Sequence, residues 1–421
     1  FTAPFTFTGY QTMEDEGVIT GLFCQGKRVE SLAEEGDVIL DQSCFYAESG
    51  GQVADGGVMS APGIECEVLD VKKAPHQQFM HHVRVHNGVL REGMKLQLKV
   101  DQPRRRKTMA NHSCVHLMQS ALKRIVGNHI AQAGSFVSQD YARFDFTHFE
   151  KVSDQQLSEV EAMVNRFIMD QLPVTTEVMN VDDAKKSGAI ALFDEKYGDQ
   201  VRVVSMGEVS KELCGGTHVA NTQDIGLFKI VSEESIGSGI RRISAVTGYR
   251  AYEEFVKQQQ SLKNIAARLK MNSLNGVEEK VAAVVEEAGA LKKEIAQLNQ
   301  KMLVLSADEM LSRAESIHGL QVLLEKVSGL DGQAMKTLAE TLRNKCEKSF
   351  IFLACPSEGK VTYVCACSKE AIAQGKKAGD FVKAAAQMSQ GNGGGRPDLA
   401  QSGGKDASRI DEVFAMIRSK L

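Results

Sequence analysis

The segment ELCGGTH, residues 212–218, places a thiol and an imidazole four positions apart in the chain. Two glycines and a threonine separate Cys214 from His218, and consecutive glycines disfavour a helix. They free the backbone to curl, so that both side chains can turn inward together. A thiolate and an imidazole are ligands that suit Zn²⁺. The segment therefore predicts one half of a metal site, carried by a tight loop.

A second pair of metal-ligating side chains lies upstream, in the segment NHSCVHL at residues 111–117. The surrounding pattern predicts one helix from about Arg104 to Val126. At about 3.6 residues per turn, His112 and His116 project from the same face of that helix. Four protein ligands are usual for structural zinc, whereas catalytic zinc usually keeps one position open, so both roles remain possible. We call the four residues the ligand set: His112, His116, Cys214 and His218.

The composition is that of an ordinary globular protein. The chain has 421 residues, 43% of them apolar and 25% charged, so more than one domain is expected. No run of about 18 apolar residues predicts a membrane span. Nine scattered cysteines, without a Cys-x-x-Cys pair, favour a reducing, cytoplasmic location. The net charge of −4 does not favour nucleic-acid binding, although a local basic patch would suffice.

The hydrophobic pattern predicts an α+β protein of several domains. Glycine-punctuated, alternating segments predict a β-rich, barrel-like part over residues 1–100. A mixed α/β core over residues 101–250 would carry the metal site. Together these two parts are expected to form one domain, residues 1–250.

Residues 251–317 are expected to form a helical coiled-coil linker. Apolar residues recur there at alternating spacings of four and three, which is typical of a coiled coil. The segment MNSLNG, residues 271–276, interrupts the pattern and predicts two helices joined by a turn. The sequence leaves open whether the stripe pairs with the other arm or with a second chain. The stripe consists of Val277, Val281, Val284, Ala288, Leu291, Ile295, Leu298, Met302 and Leu305.

Residues 318–421 predict a small α/β domain. Three segments read as strands, and helices are expected at about 331–346, 370–389 and 406–420. The segment GNGGGRPDLAQSGG, residues 391–404, is expected to form neither element because it is so rich in glycine. Its exposed backbone N–H groups and Arg396 suit a phosphate, although a flexible loop is the alternative.

Several long segments together resemble the alanyl-tRNA synthetase family. FYAESGGQVADGG, NHSCVHLMQSAL, HIAQAGSFV and ELCGGTHVANTQDIGLFKIVSEESIGSGIRRISAVTG are similar to its editing domain, and GNGGGRPDLAQSGG to a signature of its C-terminal domain. The resemblance implies an enzyme that joins alanine to its tRNA with ATP and hydrolyses esters of wrongly attached serine or glycine. Nothing in the chain resembles the ATP-using domain, and the first residue is not methionine, so a piece of a longer chain or a processed chain is expected.

The resemblance also implies roles for individual residues. It assigns zinc to the ligand set and the editing-pocket glutamine to Gln132. Val115 stands where the family commonly has threonine, beside the metal face of the helix, and valine cannot donate a hydrogen bond. Glu48 and Asp145 are candidate bases, with a purely structural role as the alternative.

The implied partner is tRNA(Ala) mischarged with serine or glycine, and no membrane partner is expected. The C-terminal domain would bind the tRNA, and this domain or the coiled coil would support self-association. Two alternatives remain: a non-catalytic tRNA-binding and oligomerisation module with structural zinc, and a freestanding editing protein. Candidate tRNA contacts are Arg104, Arg105, Arg241, Arg242, Gly393, Gly394, Gly395 and Arg396.

Overall fold

The computed structural model describes residues 4–190 and 199–421, apart from the side chains of residues 299, 300, 303 and 304. The chain separates into two compact units, Phe1–Ile265 and Ala266–Leu421. The mixed α/β, multidomain architecture predicted from the sequence is present, while the division into three parts stays an interpretation. The helices of the described part of the chain are all too short or too polar to span a lipid bilayer.

Unit one begins with a closed β-barrel. Six antiparallel strands form its ring in the order β2-β5-β9-β8-β7-β11, and β11 pairs with β2 to close it. Along β11, Leu96, Leu98 and Val100 point inward and alternate with exposed polar residues, as a barrel strand requires. The strands of this part are β1 (Thr6–Phe7), β2 (Glu14–Cys24), β3 (Lys27–Arg28), β4 (Ser31–Leu32), β5 (Glu35–Leu40), β6 (Gln42–Ser43), β7 (Gly57–Ala61), β8 (Ile64–Lys73), β9 (Phe79–Asn87), β10 (Leu90–Arg91) and β11 (Lys95–Val100).

The rest of unit one is an α/β core around one long helix. Asp101 accepts a hydrogen bond from the backbone N–H of Arg104 and so caps the start of α1, within two residues of the predicted start. Helices α1 and α2 pack on the antiparallel sheet β12-β13-β18-β17, burying a cluster that includes Leu117 and Phe144. The elements are α1 (Gln102–Ile125), β12 (Gln132–Val137), β13 (Ala142–Thr147), α2 (Asp154–Met169), β14 (Val174–Asn180), α3 (Val181–Lys186), β15 (Gln200–Met206), β16 (Ser210–Leu213), a 3-10 turn (Thr222–Ile225), β17 (Phe228–Gly237), β18 (Ile240–Thr247) and α4 (Gly248–Arg268).

Unit two contains a long helix and a six-stranded sheet in the order β19-β20-β21-β22-β24-β23. Strands β20 and β21 are parallel, because α6 crosses between them, and the other pairs are antiparallel. The predicted strands and the helix expected at 331–346 are present with small shifts at their ends. The helix expected at 370–389 is instead two helices, Lys369–Ala373 and Ala378–Met388, and the one expected at 406–420 begins with a 3-10 turn. The elements are α5 (Val277–Leu311), β19 (Glu315–Ile317), β20 (Leu320–Lys326), α6 (Gly332–Lys345), β21 (Ser349–Ser357), β22 (Lys360–Cys367), α7 (Lys369–Ala373), α8 (Ala378–Met388), β23 (Asn392–Gly395), β24 (Leu399–Gly404), a 3-10 turn (Ala407–Arg409) and α9 (Ile410–Lys420).

The glycine-rich segment at residues 391–404 contradicts the expectation that it forms neither helix nor strand. It folds into the antiparallel hairpin β23–β24. A Cβ atom at Gly395 would lie 2.7 Å from Cα of Ala400 on the facing strand. The glycines thus serve a close approach of two strands, a requirement that propensity alone does not reveal.

Most of the apolar stripe of α5 is exposed, although Val277 at its start is buried. Val281 is 40% exposed, Leu291 is 50% exposed and Leu305 is 77% exposed. The two predicted helices exist as α4 and α5, but a coiled-coil pairing between them stays a prediction.

Candidate metal centre

The ligand set converges on one point. One potential ligand atom from each of its four residues lies within 4.8 Å of the others. The Sγ atom of Cys214 is 3.4 Å from Nε2 of His112 and 3.3 Å from Nε2 of His218. The four residues predicted from the sequence therefore form a group that could bind a metal ion, and a thiolate with three imidazoles suits zinc.

Two rigid pieces of backbone bring these side chains together. Helix α1 places His112 and His116 one turn apart on one face, with ring centroids 5.5 Å apart. Strand β16 ends at Leu213, and residues 214–218, which we call the ligand loop, then turn back towards the helix.

Arg202 and Tyr10 hold the ligand loop by its carbonyl groups. Nη1 of Arg202 donates to the carbonyl oxygens of Cys214 and Gly216, at 3.0 and 2.7 Å. The hydroxyl of Tyr10 donates to the carbonyl of Gly215 at 2.6 Å, and the Arg202 guanidinium lies 4.1 Å from the centre of the Tyr10 ring. Three successive carbonyls are thus fixed, which orients the thiol towards the helix.

The outer nitrogen of each histidine faces an oxygen atom. Nδ1 of His112 is 2.8 Å from Oε1 of Gln52, and Nδ1 of His218 is 3.1 Å from Oγ of Ser113. Nδ1 of His116 lies 3.3 Å from Oε2 of Glu212, a charge contact whose angles are not those of a hydrogen bond. Such oxygen partners commonly orient metal-ligating histidines.

Burial and mutual charge put Cys214 and His218 into the protonation states that metal binding needs. Burial alone would raise the pKa of the Cys214 thiol, but His112 and His218 outweigh it and hold that pKa well below its usual range. Burial lowers the pKa of His218 to about 3. Burial opposes the charge of His116 as well, yet the Glu212 carboxylate raises its pKa to about 9, so this imidazole must release its proton when a metal binds. A thiolate beside a neutral imidazole is the form that binds a cation.

A cavity of about 290 Å³ opens on the ligand set. Val115 and Gln132, two of the predicted catalytic residues, line it. Nε2 of Gln132 donates to Oγ of Ser135 at 3.2 Å. Lys73 and Arg202 are the cations among its described lining residues, and Nζ of Lys73 donates to Oγ of Ser49 at 2.9 Å.

The two predicted carboxylates do not line this cavity. Glu48 is exposed, and Asp145 is buried and forms a two-pronged ion pair with Arg242 at 2.7 and 2.9 Å. This position of Asp145 agrees with a structural role, which was the alternative to a role as a base. Among the described lining residues of the cavity, the carboxylate is that of Glu212, which was not predicted although it stands two residues before Cys214 in ELCGGTH.

Arg105 corrects one expectation about tRNA contacts. Its side chain is 1% exposed, and its guanidinium donates to Asp55 at 2.8–2.9 Å and to the carbonyls of Gly9 and Cys44 at 2.8 Å. All of its nitrogen atoms are used inside the fold, so it offers no donor to RNA. Arg105 therefore has a structural role. Its neighbour Arg104 is half-buried and lines an open groove of about 780 Å³, away from the ligand set.

The other predicted tRNA contacts differ in their exposure and in whether their side chains form ion pairs within the fold. Arg241 is ion-paired with Glu233 at 2.6 Å, and Arg242 is occupied by Asp145 as described. Arg396 is 72% exposed and touches Asp398 at 3.2 Å. Residues 393–395 lie on the edge strand β23, beside Arg396.

Three family models match parts of the chain. The one described as "Threonyl and Alanyl tRNA synthetase second additional domain" matches residues 201–244, which include the ligand loop. The one described as "tRNA synthetases class II (A)" matches residues 1–104, and the DHHA1 domain matches residues 319–421.

Curated relatives match nearly the whole chain. Alanine–tRNA ligase from Shouchella clausii (strain KSM-K16) is 41% identical over 98% of this chain and 48% of that protein. The ligase from Alkaliphilus oremlandii (strain OhILAs) is also 41% identical, over 99% of this chain and 47% of that protein. The crystal structure of the C-Ala domain from Aquifex aeolicus alanyl-tRNA synthetase matches 25% of this chain and 96% of that chain at 26% identity, with a TM-score of 0.24 that is too low to support a structural argument. The chain spans about half the length of the curated relatives it matches, and it belongs to the alanyl-tRNA synthetase family.

Proposed function

We propose that this chain is the editing and tRNA-binding part of a cytoplasmic alanine–tRNA ligase. The full enzyme would attach alanine to tRNA(Ala) with ATP, and this part would hydrolyse Ser-tRNA(Ala) and Gly-tRNA(Ala). The observation that carries the proposal is the cavity of about 290 Å³ that opens directly on the ligand set. A small aminoacyl ester can enter it beside Val115 and Gln132.

The ligand set would hold Zn²⁺, which supplies a Lewis acid that polarises an ester carbonyl or acidifies a water. Gln132 cannot take a proton, so its amide would orient the amino acid or the attacking water. Val115 gives the cavity an apolar wall. Lys73 is exposed at its rim, where an ammonium group suits a phosphate of the tRNA end.

Physical chemistry explains why a second site is needed. A pocket built for alanine cannot strongly reject glycine, which is smaller, or serine, which only adds a hydroxyl. An editing pocket must instead engage the serine hydroxyl, because alanine would leave the engaging group unpaired. Among the predicted catalytic residues that line the cavity, Gln132 has a donor and an acceptor, whereas Val115 has neither.

One observation favours a second candidate function. Three imidazoles and a thiolate fill a tetrahedral shell, as in structural zinc sites, so the chain could bind tRNA without hydrolysing it.

Ester hydrolysis under single-turnover conditions tests the proposal. Seryl, glycyl and alanyl esters of tRNA(Ala) are mixed with excess protein, and we expect faster loss of the seryl and glycyl esters than in buffer. Cys214→Ala should lose both metal and activity, whereas Cys114→Ala, which changes a buried thiol of helix α1, should keep its metal. Binding of tRNA without faster ester loss would support the non-catalytic module instead.

A further inference from the structure

Gln52 is buried completely and belongs to no metal-ligating residue type, yet it touches both halves of the metal centre. Its Oε1 atom accepts a hydrogen bond from the backbone N–H of Thr217 at 2.9 Å and lies 2.8 Å from Nδ1 of His112. Its Nε2 atom donates to Oγ1 of Thr217 at 2.9 Å. One amide thus joins helix α1 to the ligand loop.

These contacts fix where the proton of His112 resides. A backbone N–H can only donate, so the atom of Gln52 that faces the backbone N–H of Thr217 must be the oxygen. The same oxygen faces Nδ1 of His112, so Nδ1 must carry a hydrogen atom. In the neutral ring Nε2 then holds the lone pair, and Nε2 is the atom 3.4 Å from Sγ of Cys214.

The backbone of Gln52 is held as firmly as its side chain. Residues 49–52 form a tight turn in which Gly50 and Gly51 have φ values of +58° and +81°. A Cβ atom at Gly51 would lie 2.6 Å from Oγ of Ser135, and Val137 donates to the carbonyl of Gly51 at 2.7 Å. The turn is therefore pinned against strand β12, which leaves Gln52 little freedom to move away from His112.

We propose that Gln52 is a positioning residue of the metal centre, which selects the His112 tautomer and fixes the ligand loop against helix α1. This inference rests on the metal-binding part of the proposed function and is independent of ester hydrolysis. The partners of the other two histidines, Ser113 and Glu212, lie within two residues of a ligand in sequence. Gln52 instead reaches the site from the segment between β6 and β7, so the segment leading into the barrel strand β7 contributes to the metal centre.

Three variants of the full chain separate the contacts of Gln52. Gln52→Met removes the acceptor at nearly constant volume and should weaken zinc binding about 10- to 100-fold. Gln52→Glu keeps an oxygen for both donors, and Thr217 can reverse its hydroxyl to donate, so its loss should stay below about tenfold. Thr217→Val removes only the Oγ1 contact and should also stay below about tenfold, because the His112 contact persists.

Zinc affinity is measured by chelator competition, and Co²⁺ absorption reports the ligand geometry. We expect Gln52→Met to change the Co²⁺ spectrum and Gln52→Glu to preserve it. Wild-type affinity and spectrum in Gln52→Met, or equal losses in Gln52→Met and Gln52→Glu, would overturn the positioning role while leaving metal binding and editing intact. If Gln52→Met does not fold by circular dichroism, Gln52→Asn withdraws the same oxygen and is read by the same criteria. Absence of zinc binding by the wild-type chain would overturn the metal site itself and this inference with it.

Discussion

The backbone at Gly216 packs directly against the imidazole ring of His112. A Cβ atom at Gly216 would overlap Cε1 and Nδ1 of that ring and lie 2.9 Å from Oε1 of Gln52. The ligand loop can close over the helix only because this position has no side chain.

We predict that Gly216→Ala displaces the ligand loop and weakens zinc binding. The affinity should fall at least as much as on loss of an outer-sphere partner, about 10- to 100-fold. Gly215→Ala is the matched control, because a Cβ atom there meets nothing within 4 Å. Zinc per chain, measured by elemental analysis after dialysis, checks both variants. Equal zinc content in the two alanine variants would contradict the prediction.

Arg105 and Asp55 form a buried ion pair whose disruption should destabilise unit one. Both side chains are at least 96% buried, with 1% and 4% exposed. Arg105→Met leaves an unpaired carboxylate, so we expect a loss of about 3–5 kcal/mol in the free energy of unfolding. Urea unfolding followed by circular dichroism measures it, and the exposed neighbour in Arg106→Met should change it by less than about 0.5 kcal/mol. A change as small as that control would show that the pair does not hold the barrel to α1.

His81 should make unit one sensitive to acid. Its Nδ1 donates to the carbonyl of Val38 at 3.1 Å and its Nε2 accepts from Oγ of Ser43 at 2.8 Å, so the buried ring is neutral. Burial lowers the pKa of His81 from 6.5 to about 4. Because the unfolded chain binds the proton more readily, stability is complete above pH 6.5 and falls as the pH drops towards 4.

The expected loss from His81 is about 3 kcal/mol across that interval. Urea unfolding at several pH values compares the wild type with His81→Asn, which cannot titrate there but keeps a donor for Val38. The difference in stability between the two proteins should shrink as the pH falls from 6.5 to 4. A constant difference would show that folding does not lower the pKa of His81.

The features that the sequence predicted well are those with a regular spacing along the chain. The i and i+4 spacing of His112 and His116 on a helix, and the alternation along β11, each express a repeat that the fold preserves. The pairing of the helix with the ligand loop followed from metal chemistry, since few other arrangements use such residues together.

What escaped prediction depends on contacts between distant segments. Arg105 looked like part of a basic patch because its partner Asp55 lies 50 positions away. The strand at 392–395 was missed because glycine has a low strand propensity. Its glycines are needed there because the backbone of β24 approaches so closely. Gln52 had no local signal other than two preceding glycines, and its role appears only when α1 and the ligand loop meet.

The exposed stripe of α5 should support self-association. Leu291 and Leu298 are 50% and 51% exposed, and apolar residues at this spacing normally pack against a partner helix. We predict that the double variant Leu291→Lys, Leu298→Lys has a lower molar mass by light scattering than the wild type at equal concentration. Gln297→Lys, which adds one positive charge beside the stripe where the double variant adds two, should leave the mass unchanged. An unaltered mass in the double variant would assign any association to another surface.

Val115 offers the sharpest test of how the cavity reads an amino acid. It is 4% exposed and lines the cavity, about 60° around the helix from His112. Val115→Thr has nearly the same shape and adds a hydroxyl that can pair with the serine side chain. One such hydrogen bond contributes about 0.5–1.5 kcal/mol, so the ratio of seryl to alanyl ester hydrolysis should rise by up to about tenfold. Val115→Ala, which removes volume without adding a donor, should not raise that ratio. Single-turnover hydrolysis of both esters measures it, and a ratio unchanged by threonine would mean that selection against alanine depends on other groups of the cavity, with Gln132 the first to examine.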